Sequence, residues 1–202
     1  MSSKIVVVGS LNMDMVVHSD KLPSLGETVL GGEFMMVPGG KGANQAVAAA
    51  RLGGSVSMIG CVGNDIFGKE LLRNLTQNRV DVTHVQILDD VSTGVALITV
   101  KKGNNAIVVA PEANSRLLPD KIDDAEELIR QASVLVVQLE IPQQTVLRAM
   151  EIAHKNQVKV LLNPAPAVSL SEEHLSLVDI LTPNENECEI ITGMRIRSVE
   201  EA

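Results

Sequence analysis

The chain has 202 residues, of which 45% are hydrophobic and 21% charged, a composition that excludes a disordered polymer. Seventeen Lys and Arg against twenty-five Asp and Glu leave a net charge of −8, and Phe34 and Phe67 are the only aromatic residues, which argues against nucleic acid as a partner. No apolar run approaches the ~20 residues of a membrane span, and the first residues lead straight into a strand, so a cytoplasmic protein with no membrane partner is expected. Cys61 and Cys188 have no neighbours at metal-ligand spacing and read as two free thiols of a reducing compartment.

In chain order, residues 5–8 read as a buried strand. Residues 12–36 read as extended segments interrupted by Pro23 and Gly31-Gly32, with no helix between them. A small-residue helix follows over 43–52, then a strand over 56–59 and a helix over 68–78. Residues 95–100 and 106–109 flank Lys101-Lys102-Gly103-Asn104-Asn105, whose Gly and Asn suit a hairpin turn. Beyond the hairpin come a helix at 122–130, a strand at 134–139, a helix at 145–156, a strand at 158–162, a helix at 171–177 and a strand at 179–181. Val146, Met150 and Ala153 fall at i, i+4 and i+7, a stripe that faces a sheet.

Continuous apolar strands alternating with helices predict an α/β fold with a doubly wound, mostly parallel sheet flanked by helices. The pieces without helices predict a small antiparallel β appendage, in segments of about 12–38 and 92–110 inserted into one domain over 1–202. Ser198-Val199-Glu200-Glu201 has the spacing of a capping box, which opens a helix just before Ala202. One turn of helix does not offset its nucleation cost, so the chain is expected to be an incomplete piece of a larger fold.

In open parallel sheets ligands bind beyond the carboxyl ends of the strands. Polar residues recur there: Asn12 and Asp14 after the first strand, Glu140 after 134–139, Asn163 after 158–162, and Asn184 and Glu187 after 179–181. Together they point to a polar ligand site. Asn12 and Asp14 lie two apart in an extended segment, so both project to one side. They either hold vicinal hydroxyls of a sugar or form an Asx turn. Pro38-Gly39-Gly40-Lys41-Gly42-Ala43-Asn44-Gln45 opens the small-residue helix, with Lys41 and Asn44 on one helical face. Either its glycines bring backbone N–H groups close to a ligand, or they form a tight turn beneath a closely packed helix.

Gly9-Ser10-Leu11-Asn12-Met13-Asp14, the 38–45 motif, Ser92-Thr93-Gly94-Val95-Ala96, Gln138-Leu139-Glu140, Asn163-Pro164-Ala165-Pro166-Ala167 and Thr182-Pro183-Asn184-Glu185 occur in family order across the chain. On these motifs the sequence resembles the ribokinase family of carbohydrate kinases. The resemblance implies a Rossmann-like sheet carrying a β lid, and phosphorylation of D-ribose to D-ribose 5-phosphate by ATP with Mg²⁺. It implies ribose contacts from Asn12, Asp14, Gly39, Gly40, Lys41, Asn44 and Glu140. Asn184 would contact the ATP phosphates, and Glu187 would organise Mg²⁺ through water. The lid would also pair with a partner's lid in a homodimer.

The family's Asp-Thr-x-Gly-Ala-Gly-Asp signature, which supplies the anion hole and the catalytic base, has no counterpart in these residues. No catalytic residue is therefore assigned, and residues 1–202 alone are expected to be inactive. The monovalent-cation (K⁺) loop is likewise expected beyond Ala202. At Glu112-Ala113-Asn114 the family pattern has glycine first. The alternatives are a kinase for another small sugar or a nucleoside, and a non-catalytic sugar-binding or dimerising fragment. The scarcity of rings to stack on a base argues against the nucleoside.

Overall fold

Runs of branched apolar residues that are buried on both sides build the central sheet. The strands in chain order are β1 (Lys4–Val8), β2 (Asn12–His18), β3 (Phe34–Gly39), β4 (Ser55–Gly63), β5 (Val80–Leu88), β6 (Gly94–Lys101), β7 (Asn104–Ala110), β8 (Val134–Val137), β9 (Lys159–Leu162) and β10 (Ile180–Leu181). The helices are α1 (Lys41–Arg51), α2 (Ile66–Gln77), α3 (Pro119–Asp123), α4 (Glu126–Arg130), α5 (Gln143–Lys155), α6 (Glu172–Ser176) and α7 (Glu185–Thr192), with a 3-10 turn at Glu112–Arg116. This computed structural model describes residues 3–195, 198 and 201. The capping box expected over 198–201 includes positions 199 and 200, which lie outside the described residues.

The main sheet has six strands in the order β10-β9-β8-β1-β4-β5, every neighbouring pair parallel. Alternate residues of β1 serve opposite faces. Val6 and Val8 pack with Leu117, Ile122, Ile129, Val146, Met150 and Ala153. Val7 packs with Ala43, Ala46, Leu71 and Leu75 of α1 and α2 on the other side. The sheet is thus doubly wound, and the expected Val146, Met150 and Ala153 stripe is buried against it. Among the described residues no helix is long and apolar enough to cross a membrane.

Several boundaries differ from the expected ones. The strand expected over 134–139 ends at Val137, because the Leu139 N–H leaves the ladder to bond the Ala165 carbonyl at 3.0 Å. The helix expected over 122–130 is split into α3 and α4, with Ala125 between them at φ −104°, ψ 11°. The sequence reading missed β5, the edge strand, and α7.

The smaller sheet has the order β3-β2-β6-β7. Its two outer pairs are antiparallel, and its central pair, β2 with β6, is parallel. The turn between β6 and β7 places Lys102 at φ 47° and Gly103 at φ 83°, as a tight two-residue hairpin of primed type requires. Residues 19–33 connect β2 to β3 without a strand of their own. Because residues 9–11 alone separate β1 from β2, the small sheet grows directly from the carboxyl end of the central strand. That junction holds the site.

Candidate functional site

Successive rows of the small sheet face opposite ways. Val37, Asp14, Ala96 and Val109 are in register across it, as are Met35, Val16, Ile98 and Ile107 two residues further along. Ala96, Ile98, Ile107 and Val109 form an apolar wall over a cavity of about 140 Å³. Asn12 and Asp14 stand beside that wall on the same sheet face, and Gly40, Lys41, Asn44 and Glu140 complete the lining. Six of the seven residues expected to touch the sugar are therefore gathered in one cavity, from three separate parts of the chain. Gly39, the seventh, does not line it. It pairs with Asn12 across β2 and β3, and a Cβ there would lie 2.2 Å from Asp14 Oδ2, so its role is to make room for that carboxylate.

The glycine-rich turn works by close packing. Gly40 has φ 93° and lies against the Asn12 N–H and the Ser10 carbonyl; a Cβ on Gly42 would come within 2.7 Å of the Gly9 and Ser10 backbone. α1 has no capping side chain of its own. Its first N–H groups are taken up by the protein: Lys41 N–H donates to Glu140 Oε2 at 3.3 Å and Gly42 N–H to Ser10 Oγ at 3.4 Å. The carboxylate of Glu140 thus sits at a helix N-terminus, where the helix dipole favours it. These two amides are not free for a ligand anion, so the motif is a tight turn that also brings Gly40, Lys41 and Asn44 to the cavity.

The electrostatics are compact. Lys41 Nζ lies 3.8 Å from Glu140 Oε1. Burial pushes the Asp14 carboxyl above its ordinary value, the neighbouring Glu140 carboxylate pushes it the same way, and Lys41 opposes both. The cavity therefore offers two carboxylates as acceptors and an ammonium as a donor beneath an apolar roof. Charge-assisted hydrogen bonds are worth about 1.5–3 kcal/mol each, enough for a few of them to orient a small polyol.

Two buried residues outside the expected set complete the arrangement. Ser10 donates to Glu140, and Asn114 bonds Leu11 and Asn12. Their partners are far away in sequence, so no local pattern marked them. A third, Thr93, anchors the root of β6: its N–H and Oγ1 both donate to Asp65, which also caps α2 through Gly68 N–H.

Asn184 and Glu187 are apart from this cavity, at the start of α7. Asn184 Oδ1 accepts from Glu187 N–H, while Glu187 accepts from Asn184 N–H and Nδ2, a reciprocal capping box. Asn163, also at a strand end, donates to the Thr182 carbonyl at 2.9 Å and ties β9 to β10. The described residues include no group of three or more His, Cys, Asp and Glu able to hold a metal ion. Glu187 nevertheless fits a water-mediated role, since each carboxylate oxygen accepts only one hydrogen bond from Asn184 and keeps a lone pair for solvent.

Comparison with known proteins gives a consistent result. The profile of the pfkB family carbohydrate kinases matches residues 2–202. A ribokinase of Haemophilus influenzae is 45% identical over 203 residues, covering 100% of this chain and 66% of that protein. A ribokinase of Bacillus subtilis is 45% identical over 187 residues, covering 93% of this chain and 64% of its own length. The structure of Arabidopsis thaliana ribokinase complexed with ribose and ATP superimposes with a TM-score of 0.90 at 32% identity, covering 99% of this chain and 66% of that one. The chain spans just under two thirds of the length of these curated relatives.

Proposed function

The chain belongs to the pfkB family of carbohydrate kinases, and from that premise we propose that the whole protein transfers the γ-phosphoryl group of ATP to D-ribose, giving D-ribose 5-phosphate. The observation that carries this reading is the small cavity in which Asn12, Asp14, Lys41, Asn44 and Glu140 converge beneath an apolar wall. A pentose is a ring of hydroxyls with one carbon-rich face, and this lining matches both. The whole-length ribokinase relatives and the ribose complex of the Arabidopsis enzyme support the choice of sugar.

Asp14 and Glu140 accept hydrogen bonds from ribose hydroxyls, and Lys41 and Asn44 donate to them. The sugar is thereby fixed with one hydroxyl free to attack. Positioning of this kind converts a bimolecular step into a local one and is the main protein contribution to phosphoryl transfer. The small sheet acts as a lid whose apolar roof excludes water from the reacting oxygen. Asn184 contacts the ATP phosphates from the start of α7. Glu187, whose carboxylate Asn184 orients, would hold Mg²⁺ through water, and the ion would supply neutralisation of phosphate charge. Neither the catalytic base nor a K⁺ ligand is assigned within residues 1–202.

The lid also provides a face for a second copy of this chain. Met36, Met15, Leu97 and Val108 form one row across it, on the side opposite Asp14, and Met36, Leu97 and Val108 are exposed. A homodimer through this face covers them. Leu97→Glu should shift the protein from dimer to monomer in sedimentation equilibrium. An unchanged mass would rule the face out.

The catalytic reading is tested by coupled ADP release from the whole protein with D-ribose, 2-deoxy-D-ribose and adenosine as acceptors. D-ribose should give the highest kcat/KM. A preference for adenosine would replace the sugar kinase by a nucleoside kinase. Ribose binding without ADP release would leave a sugar-binding module.

A further inference from the structure

Asn114 is 1% exposed, and its bonds are directional. Its Oδ1 accepts from Leu11 N–H at 2.9 Å, and its Nδ2 donates to the Leu11 carbonyl at 3.1 Å. Only the oxygen of an amide can accept from an N–H group, so these two backbone bonds fix which end of the Asn114 side chain is which. The same Nδ2 donates to Asn12 Oδ1 at 2.8 Å. A donor facing Asn12 requires the Asn12 oxygen in return, so the Asn12 Nδ2 is the end left over. Asn12 lines the sugar cavity.

The surroundings are built around this contact. Gly94 is the register partner of Asn12, and a Cβ on Gly94 would lie 2.3 Å from Asn12 Oδ1 and 2.4 Å from Asn114 Nδ2. The two amides meet only because position 94 lacks a side chain. Asn114 itself is held by a turn whose backbone is anchored twice: Ala113 N–H donates to the Ser92 carbonyl at 3.0 Å and Asn114 N–H to the Pro111 carbonyl at 2.9 Å.

We infer that Asn114 is a positioning residue that sets Asn12 as an obligate hydrogen-bond donor in the sugar cavity. This rests on reading that cavity as the ribose site. Asn12 and Asp14 project from the same side of β2, so the pair offers one fixed donor beside one acceptor. A hydroxyl can satisfy both, giving its proton to Asp14 and accepting from Asn12. A ligand atom that only donates, such as an ammonium, is disfavoured at Asn12 even though two carboxylates stand nearby. Asn114 therefore keeps an acidic pocket selective for sugar hydroxyls over amines.

Asn114→Asp in the whole protein tests this, because it keeps the acceptor for Leu11 N–H and replaces the donor facing Asn12 by an acceptor. The Asn12 amide should then turn, presenting its oxygen to the ligand. The KM for D-ribose should rise roughly tenfold to a hundredfold, the worth of one well-placed hydrogen bond. The KM for ATP and the kcat at saturating ribose should stay within about twofold of wild type, which separates lost sugar positioning from general damage. In an Asn12→Ala background Asn114→Asp should add no further loss, because its effect runs through Asn12. Equal losses in both backgrounds, or a wild-type ribose KM in Asn114→Asp, would overturn the inference. Asp14→Asn measured alongside separates the two levels: if it too leaves the ribose KM unchanged, the cavity is not the ribose site at all. Should Asn114→Asp not fold, the wild-type protein still decides through its side-chain amide NMR signals, with Asn12→Asp identifying the Asn12 pair. Ribose should shift the Asn12 NH₂ resonances, and an unmoved pair in the ribose-saturated protein would overturn the inference.

Discussion

Ser10 Oγ donates a 2.6 Å hydrogen bond to Oε2 of Glu140, 130 residues further along the chain. That oxygen also accepts from the first N–H of α1, so one carboxylate joins the end of β1, the start of α1 and the loop after β8. Ser10 is fully buried. Ser10→Ala should leave Glu140 partly unpaired at a cost of about 1–3 kcal/mol. The melting temperature should fall by roughly 3–10 °C, and the KM for ribose should rise about tenfold. Calorimetry and steady-state kinetics on the same preparation check both; wild-type values in each would mean that Lys41 alone holds Glu140.

Asp14→Ala should raise the ribose KM strongly, by about 2–4 kcal/mol of lost binding, since neighbouring donors are left unpaired. A folded variant with an unchanged KM would remove Asp14 from the site.

The raised pKa of Asp14 carries a second, opposite consequence. Its carboxyl holds a proton more tightly in the folded chain than in the unfolded one, for which 3.8 is the reference. Between that value and the raised one the folded state binds more protons, so stability from this group falls as pH rises through the window and is lowest at neutral pH. Asp14→Asn should therefore raise the melting temperature at pH 7 while weakening ribose binding, and the gain should shrink as the pH falls from the raised value toward 3.8. In the wild type, ribose affinity should fall on acidification with a midpoint above 3.8. Identical melting curves for the two proteins at pH 7 would remove the burial argument.

Glu112 sits at φ 45°, a left-handed conformation that crowds any side chain beyond glycine. This explains why the family pattern has glycine there. Glu112→Gly relieves roughly 1–2 kcal/mol of crowding against about 0.5–1 kcal/mol of added unfolded-state entropy. The net gain, about 0.5–1 kcal/mol, should raise the melting temperature by roughly 1–4 °C. Glu112→Ala retains the Cβ and should show no gain. An equal gain from alanine would place the effect in the Glu112 carboxylate instead.

A polypeptide of residues 1–202 alone should show no useful ribose-dependent ADP release. It holds the groups proposed to face the sugar but no assigned base or anion hole, worth about 10²–10⁴-fold and 10²–10³-fold respectively. Turnover within about tenfold of a whole-length relative would show that the reacting groups lie among residues already described.

The parallel core was legible because β1, β4, β8 and β9 carry apolar residues on both faces, giving runs without alternation. β5 escaped because Asp81, Thr83 and Gln86 interrupt it, as befits an edge strand with polar company. α7 escaped although Asn184 and Glu187 have the same spacing that marked Ser198 and Glu201; its few apolar residues leave it without a stripe. In the site, Asp14 and Glu140 were legible as polar residues at the ends of apolar strands, and Lys41 as a residue of the glycine-rich motif that shares a helical face with Asn44. Ser10 and Asn114 were not, because the carboxylate and amide they hold arrive from 130 and 102 residues away. Only the folded chain brings those partners together.

The separation of Ser10 from Glu140 also sets an order of events during synthesis. β1 is the central strand, yet its neighbour β8 and the carboxylate that fixes its end are made long after it. At ribosomal rates of ~5–20 residues per second, Ser10 waits roughly 6–26 s for Glu140 to be added. Through that interval one edge of β1 is open, and a nascent chain has Asp14 and Lys41 but no closed cavity. Ribose therefore cannot act as a folding ligand on the early chain. That edge of the central strand closes only when β8 docks.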